Sequence, residues 1–169
     1  MNELGSIQPR LLTAFEPIEH NPCAGVKADD RKDVIGLFNW NPEQSDTVSV
    51  EIKKLDLPGG AGGTYVGFDY WADQFVPPFS GVLEAELRPS CCRVISIRPL
   101  GDRPVLVSTS RHVTQGIVDV DRESFNSRKY ELRGKSEVVG EDPYELRIYA
   151  PAGNSLWQVR SADVSQVDS

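Results

Sequence analysis

The feature that most limits what this chain can fold into is a two-residue alternation of apolar and polar side chains, repeated in short runs. "TVSVEIK" sets Val48, Val50 and Ile52 on one side, with Ser49 and Glu51 on the other. "VLEAELR" does the same with Leu83, Ala85 and Leu87 against Glu84, Glu86 and Arg88. "YELRIYA" sets Tyr144, Leu146 and Ile148 against Glu145 and Arg147. Successive side chains of a strand point to opposite faces, so each run reads as a strand with one buried and one wet face. "VIGLFNW", "TYVGFDYW", "CRVISI", "PVLVSTS", "GIVDVD" and "KYELRG" are further strand candidates. Turn signals fall between them, among them Asn41-Pro42, Pro58-Gly59-Gly60, Pro77-Pro78, Gly101-Asp102 and Pro151-Ala152-Gly153.

Strands at this spacing, with no sustained 3.6-residue apolar stripe, predict an all-β antiparallel domain. A two-sheet β-sandwich with Greek-key-like connections buries all the inner faces at once. The sandwich is expected over residues 34–160. Residues 1–33 mix Pro, polar and charged side chains without a period and read as an irregular lead-in, and residues 161–169 read as a flexible tail. In "YVGFDYW", Val66, Phe68 and Tyr70 share one face and Tyr65, Gly67, Asp69 and Trp71 the other. Aromatics on both faces predict a strand covered on two sides.

At 169 residues the chain has room for one domain with a proper core. Its formal net charge is -7, and no basic cluster in the sequence runs against that sign. Nucleic acid and anionic membranes are therefore poor partners. "MNELGSIQPRLL" has no signal-peptide pattern, and no apolar run approaches the roughly 18 residues of a membrane span. The cysteines number three, with Cys91 and Cys92 adjacent. A bridge between neighbours is strained and no spaced framework exists, so buried reduced thiols are expected. That leans toward the cytoplasm without deciding the compartment.

Candidate chemistry begins at "TSRHVTQG", which holds His112, one of two histidines. A catalytic histidine needs a nucleophile within reach and a third group to orient it. The hydroxyls of Ser108, Thr109 and Ser110 alternate between strand faces, and there is no Gly-x-Ser-x-Gly elbow. Arg111, His112, Gln115 and Gly116 read instead as a structural corner, with Gly116 permitting the turn. His20 and Cys23 lack a second ligand pair for zinc. Asp119, Asp121 and Glu123 share a strand face that would suit calcium but reads as an ordinary solvated face. The "GGAGG" run at 59–63 lacks the Lys-Ser/Thr of a phosphate loop and reads as a connection. No pair of carboxylates stands out for glycoside chemistry. No metal or cofactor is expected. Trp40, Tyr70, Trp71 and Tyr149 could stack on sugar faces, although large aromatics equally fill a core or an interface.

The order of these motifs resembles a known domain. "DVIGLFNWNPEQSDTVSVEIKKLDLPGG", "TYVGFDYWADQFV", "LRPSCCRVISIRPLGDRPVLVSTSRHVTQGIVDV" and "LRGKSEVVGEDPYELRIYAPAG" are similar to the C-terminal β-sandwich of α-galactosidase (melibiase)-type glycoside hydrolases. "QPRLLTAFEP" is similar to the stretch that leaves the barrel in those enzymes, so the resemblance spans roughly residues 8–153. It implies an accessory domain and no enzyme in its own right. The catalytic aspartates of that family lie on a (β/α)₈ barrel of about 200 residues or more, and no residue here matches its motifs. The barrel would be the partner, packed against an apolar and aromatic face that also lets the isolated chain self-associate. The alternative is a freestanding carbohydrate-binding module that uses the four aromatics named above.

Overall fold

The alternating runs fold as strands, and the fold is all-β, antiparallel and sandwich-like. A computed structural model describes residues 10–13, 16–17, 31–55, 57, 62–111, 114–151 and 157–165. Twelve strands follow in chain order among them: β1 (Arg10–Thr13), β2 (Glu16–Pro17), β3 (Asp33–Phe38), β4 (Asp46–Glu51), β5 (Thr64–Asp69), β6 (Gln74–Ser80), β7 (Val82–Leu87), β8 (Cys92–Pro99), β9 (Val105–Thr109), β10 (Val120–Asn126), β11 (Glu131–Ser136) and β12 (Leu146–Tyr149). A 3₁₀ turn spans Ile52–Lys54.

The central sheet has the order β2-β1-β3-β8-β5-β6. Its pairs are antiparallel except β1 with β3, which run parallel. The lead-in thus contributes two short strands to one edge. Side-chain alternation on this sheet builds two cores. Ile35 and Leu37 of β3, Tyr65 of β5, and Ile95 and Ile97 of β8 face the β4–β7 ribbon, which supplies Val48, Val50, Leu83, Ala85 and Leu87. Each aliphatic side chain fully buried there contributes about 1.5–3 kcal/mol relative to an exposed one. Gly67 lies in this face because a Cβ would meet Ile95 Cγ2 at 3.0 Å and Ser96 O at 3.2 Å.

The other face of the same sheet packs Val66 and Phe68 against Val105 and Val107 of β9, with Tyr149 of β12 alongside. β5 is therefore covered on both faces, which is why it carries aromatics on both. The β9–β12 pair and the β10–β11 hairpin lie over this second face, tied down by Ser96 Oγ donating to Val107 O (2.7 Å) and by Arg98. The described tail, 157–165, has no regular structure.

Four local readings need correction. Cys91 and Cys92, expected as buried thiols, are half-buried and exposed at the start of β8. Pro77-Pro78, read as a turn, lies inside β6. That strand is the sheet edge, and the two prolines sit in a bulge where Tyr65 pairs with Phe79 and Gly67 with Val76. An edge strand with a bulge spares proline the ladder bond it cannot make. "GIVDVD" is a strand only from Val120 onward, because residues 114–119 form turns and bends. In "YELRIYA" Tyr144 is half-buried and Glu145 exposed, as read, but within β12 the faces are reversed: Leu146 and Ile148 are 50% and 42% exposed, while Arg147 and Tyr149 turn inward.

Candidate functional site

The chain from β9 to β12 builds the most elaborate polar arrangement among the described residues. β9 ends at Thr109, a tight corner follows, and Asp119 sits just before β10. Gln115 N donates to Arg111 O (2.8 Å), which closes the corner. Gln115 and Gly116 hold positive φ angles of 46° and 91°. Glycine adopts that backbone at no steric cost. Gln115 is held there by burial, with its Oε1 accepting from Ser108 Oγ at 3.2 Å.

Asp119 is the centre of the corner. Its carboxylate accepts from Thr109 Oγ1 (2.7 Å), Thr114 Oγ1 (2.7 Å), Gly116 N (2.9 Å) and Tyr144 OH (2.6 Å). Burial alone would raise its pKa, but the bonds from Tyr144, Thr109 and Thr114 outweigh this and hold it below the ordinary carboxylate value. Burial and the same carboxylate push the Tyr144 phenol up. A carboxylate offers about four lone-pair sites, and all are occupied here. Asp119 is therefore a tether with no lone pair left to act as a base. The solvated-face reading of Asp119, Asp121 and Glu123 is corrected: Asp119 is buried in a turn, Glu123 is half-buried against Arg98 (2.6 Å), and only Asp121 is exposed. Among the described residues no group of three or more His, Cys, Asp or Glu side chains could hold a metal ion.

Behind the corner, Lys32 Nζ donates to Gly116 O (3.2 Å) and lies 3.8 Å from Glu123 Oε2. Desolvation lowers its pKa to about 8, although Glu123 pulls the other way. Arg111 pairs with Asp142 and lies 5.6 Å over the Tyr144 ring. His112, His20, Cys23 and most of the "GGAGG" run lie outside the described residues.

The four aromatics divide into two pairs. Tyr70 donates from its OH to Ser110 O (3.2 Å), and Arg147 lies 5.4 Å over its ring and 4.2 Å over that of Phe68. Tyr149 meets Phe75 edge-on at 5.8 Å. Both rings are thus engaged internally. Trp40 and Trp71 are 64% and 63% exposed. Trp40 stacks flat on Phe38 (5.2 Å, 6°). Its backbone is fixed by buried Asn39, whose Nδ2 donates to Gln44 O, Leu87 O and Arg88 O at 2.9–3.1 Å. Trp40 and Trp71 lie at the same end of the sheet, because Phe38 pairs with Cys92 and Tyr70 N donates to Val94 O where β8 begins.

The sequence reading puts Asp119 on a solvated face and gives Arg147 and Asn39 no role beyond their strands. Their partners come from segments up to 74 positions away, as with Arg147 Nη2 and Asp73 Oδ1 (3.0 Å). The one local signal is the acid three residues after Gly116. No protein-family model matches the chain, and no curated protein sequence matches it.

Proposed function

We propose that the chain is the non-catalytic C-terminal accessory domain of an α-galactosidase-like glycoside hydrolase, packing against and stabilising a (β/α)₈ barrel outside these residues. The reversed faces of β12 carry this reading. A strand that buries its arginine and leaves Leu146 and Ile148 in water has the polarity of a surface that another domain covers. The arginine is no accident of packing, since Arg147 Nη1 donates to Thr109 O (2.9 Å) while its guanidinium lies on Phe68. The all-β sandwich-like fold and the order of the motifs along it support the same family. The saturated Asp119 corner fits a domain that holds its shape and performs no chemistry.

Sedimentation velocity on the isolated chain tests it. Concentration-dependent self-association is expected, and the Leu146→Lys/Ile148→Lys double variant is expected to stay monomeric. A wild-type chain that is strictly monomeric at every concentration counts against the proposal. One observation favours the second reading, a carbohydrate-binding module: Trp40 and Trp71 present open ring faces at one end of the sheet. Calorimetric titration with galactosides separates the two, because heat that depends on these tryptophans belongs to the module alone.

A further inference from the structure

The β10–β11 hairpin extends beyond both cores and beyond the Asp119 corner. From Val120 to Ser136 it carries five basic and three acidic side chains, in a chain of net charge -7. Glu123 turns inward to Arg98, Asp121 pairs with Lys135 (3.3 Å), and Glu131 pairs with Arg133 (2.8 Å). Arg122, Arg128 and Lys129 make no ion pair among the described residues. The hairpin is therefore a local cationic finger on an acidic body, which corrects the reading that no basic cluster runs against the net charge.

Its end is shaped as well as charged. Asn126 Oδ1 accepts from the backbone N–H groups of Arg128 and Lys129, both at 3.1 Å, which holds the two cations at the turn. An open hollow of about 600 Å³ lies there, lined by Ser124, Asn126, Arg128, Lys129, Glu131 and Arg133. Beside it Tyr130 is 59% exposed and holds a φ of 51°, a backbone that a bulky side chain keeps only when its surroundings enforce it. Tyr130 is the last residue of the hairpin loop before the Asn126–Glu131 pair, and its ring stacks on Trp157 (5.9 Å, 25°) and meets Phe125 edge-on (5.8 Å).

We propose that this hairpin end binds an acidic oligosaccharide of the uronate class. The sugar carboxylates lie against Arg128, Lys129 and Arg133, and the apolar face of a sugar ring rests on Tyr130. Guanidinium and ammonium groups donate charge-assisted hydrogen bonds to carboxylates, and the hydroxyl, amide and carboxylate groups of Ser124, Asn126 and Glu131 suit sugar hydroxyls. An extended polyanion such as a duplex or a bilayer would bring the acidic body within a Debye length of its own charge. A single thin saccharide strand need touch only the finger. This site is separate from the face of β12 and does not depend on a barrel partner.

The test is titration of the isolated chain with a uronate trisaccharide and with a neutral trisaccharide of the same length, at low and high salt. The uronate is expected to bind at least about tenfold more tightly, with affinity falling as salt rises. Amide shifts should map to residues 124–133, a readout that needs no variant. Arg128→Glu/Lys129→Glu should weaken binding by about tenfold or more, and Tyr130→Ala should weaken it too. Arg88→Glu, an exposed change at the end of β7, should do neither. Absence of uronate binding, equal affinity for the neutral sugar, or an equal loss with Arg88→Glu would overturn the proposal. Equal binding of duplex DNA or anionic vesicles would overturn the choice of ligand.

Discussion

Replacing Asp119 with alanine is expected to destabilise the domain by about 3–4 kcal/mol, measured by urea denaturation. The variant loses an acceptor for four donors at once, and each of Thr109, Thr114, Gly116 and Tyr144 must then find water inside a closed corner. Tyr144→Phe removes a single donor and should cost about 1 kcal/mol, because Asp119 keeps three. The pH dependence has a definite sign. The Asp119 carboxyl titrates below its ordinary value in the folded state, so its contribution is fully present above the unfolded-state pKa. It is lost as pH falls through the folded value. The gap between wild type and Asp119→Ala should therefore be constant near neutrality and narrow in acid. A gap that stays constant into strong acid would show that the carboxylate charge is not what the corner uses.

Arg98 carries the second large effect. It is 1% exposed on β8, where it donates to Leu106 O (3.1 Å) and to Glu123 Oε2 (2.6 Å), joining the central sheet to β9 and β10. Arg98→Ala is expected to cost about 3–5 kcal/mol, since it leaves Glu123 half-buried without its main partner. The pair itself is a different matter, because desolvating both ions offsets most of their attraction. Arg98→Met/Glu123→Leu should therefore recover much of what Arg98→Met loses. Equal losses in the single and double variants would contradict the view that an orphaned charge, and not lost packing, sets the cost.

Both effects involve residues whose importance is invisible in a one-dimensional reading, and the reason is physical. Alternation specifies which residues share a face, and in β4 and β7 it also specifies which face is buried, because the apolar residues other than Val82 at the start of β7 are on one side. In β12 the same rule groups Leu146 with Ile148 correctly but says nothing about which group turns inward. That choice is made by the Phe68 and Tyr70 rings, which lie on β5 and in the turn just after it, more than seventy positions earlier, and accept the Arg147 guanidinium. The prolines of β6 mislead for a related reason, since only the sheet order shows that they lie on an edge. Asp119 reads as one acid in a run of alternating acids until the corner folds Thr109 and Tyr144 onto it.

The resemblance to the sandwich of α-galactosidase-type enzymes and the reversed faces of β12 meet in the proposal that this strand is where a barrel would cover the domain. The direct measurement is photo-crosslinking from position 148 in the intact natural polypeptide, followed by mass analysis of the joined peptides. The account predicts crosslinks from that position to a (β/α)₈ barrel portion of the same polypeptide, and none from an exposed control such as position 88. A natural polypeptide without a barrel, or a position 148 that reacts only with solvent, would contradict it.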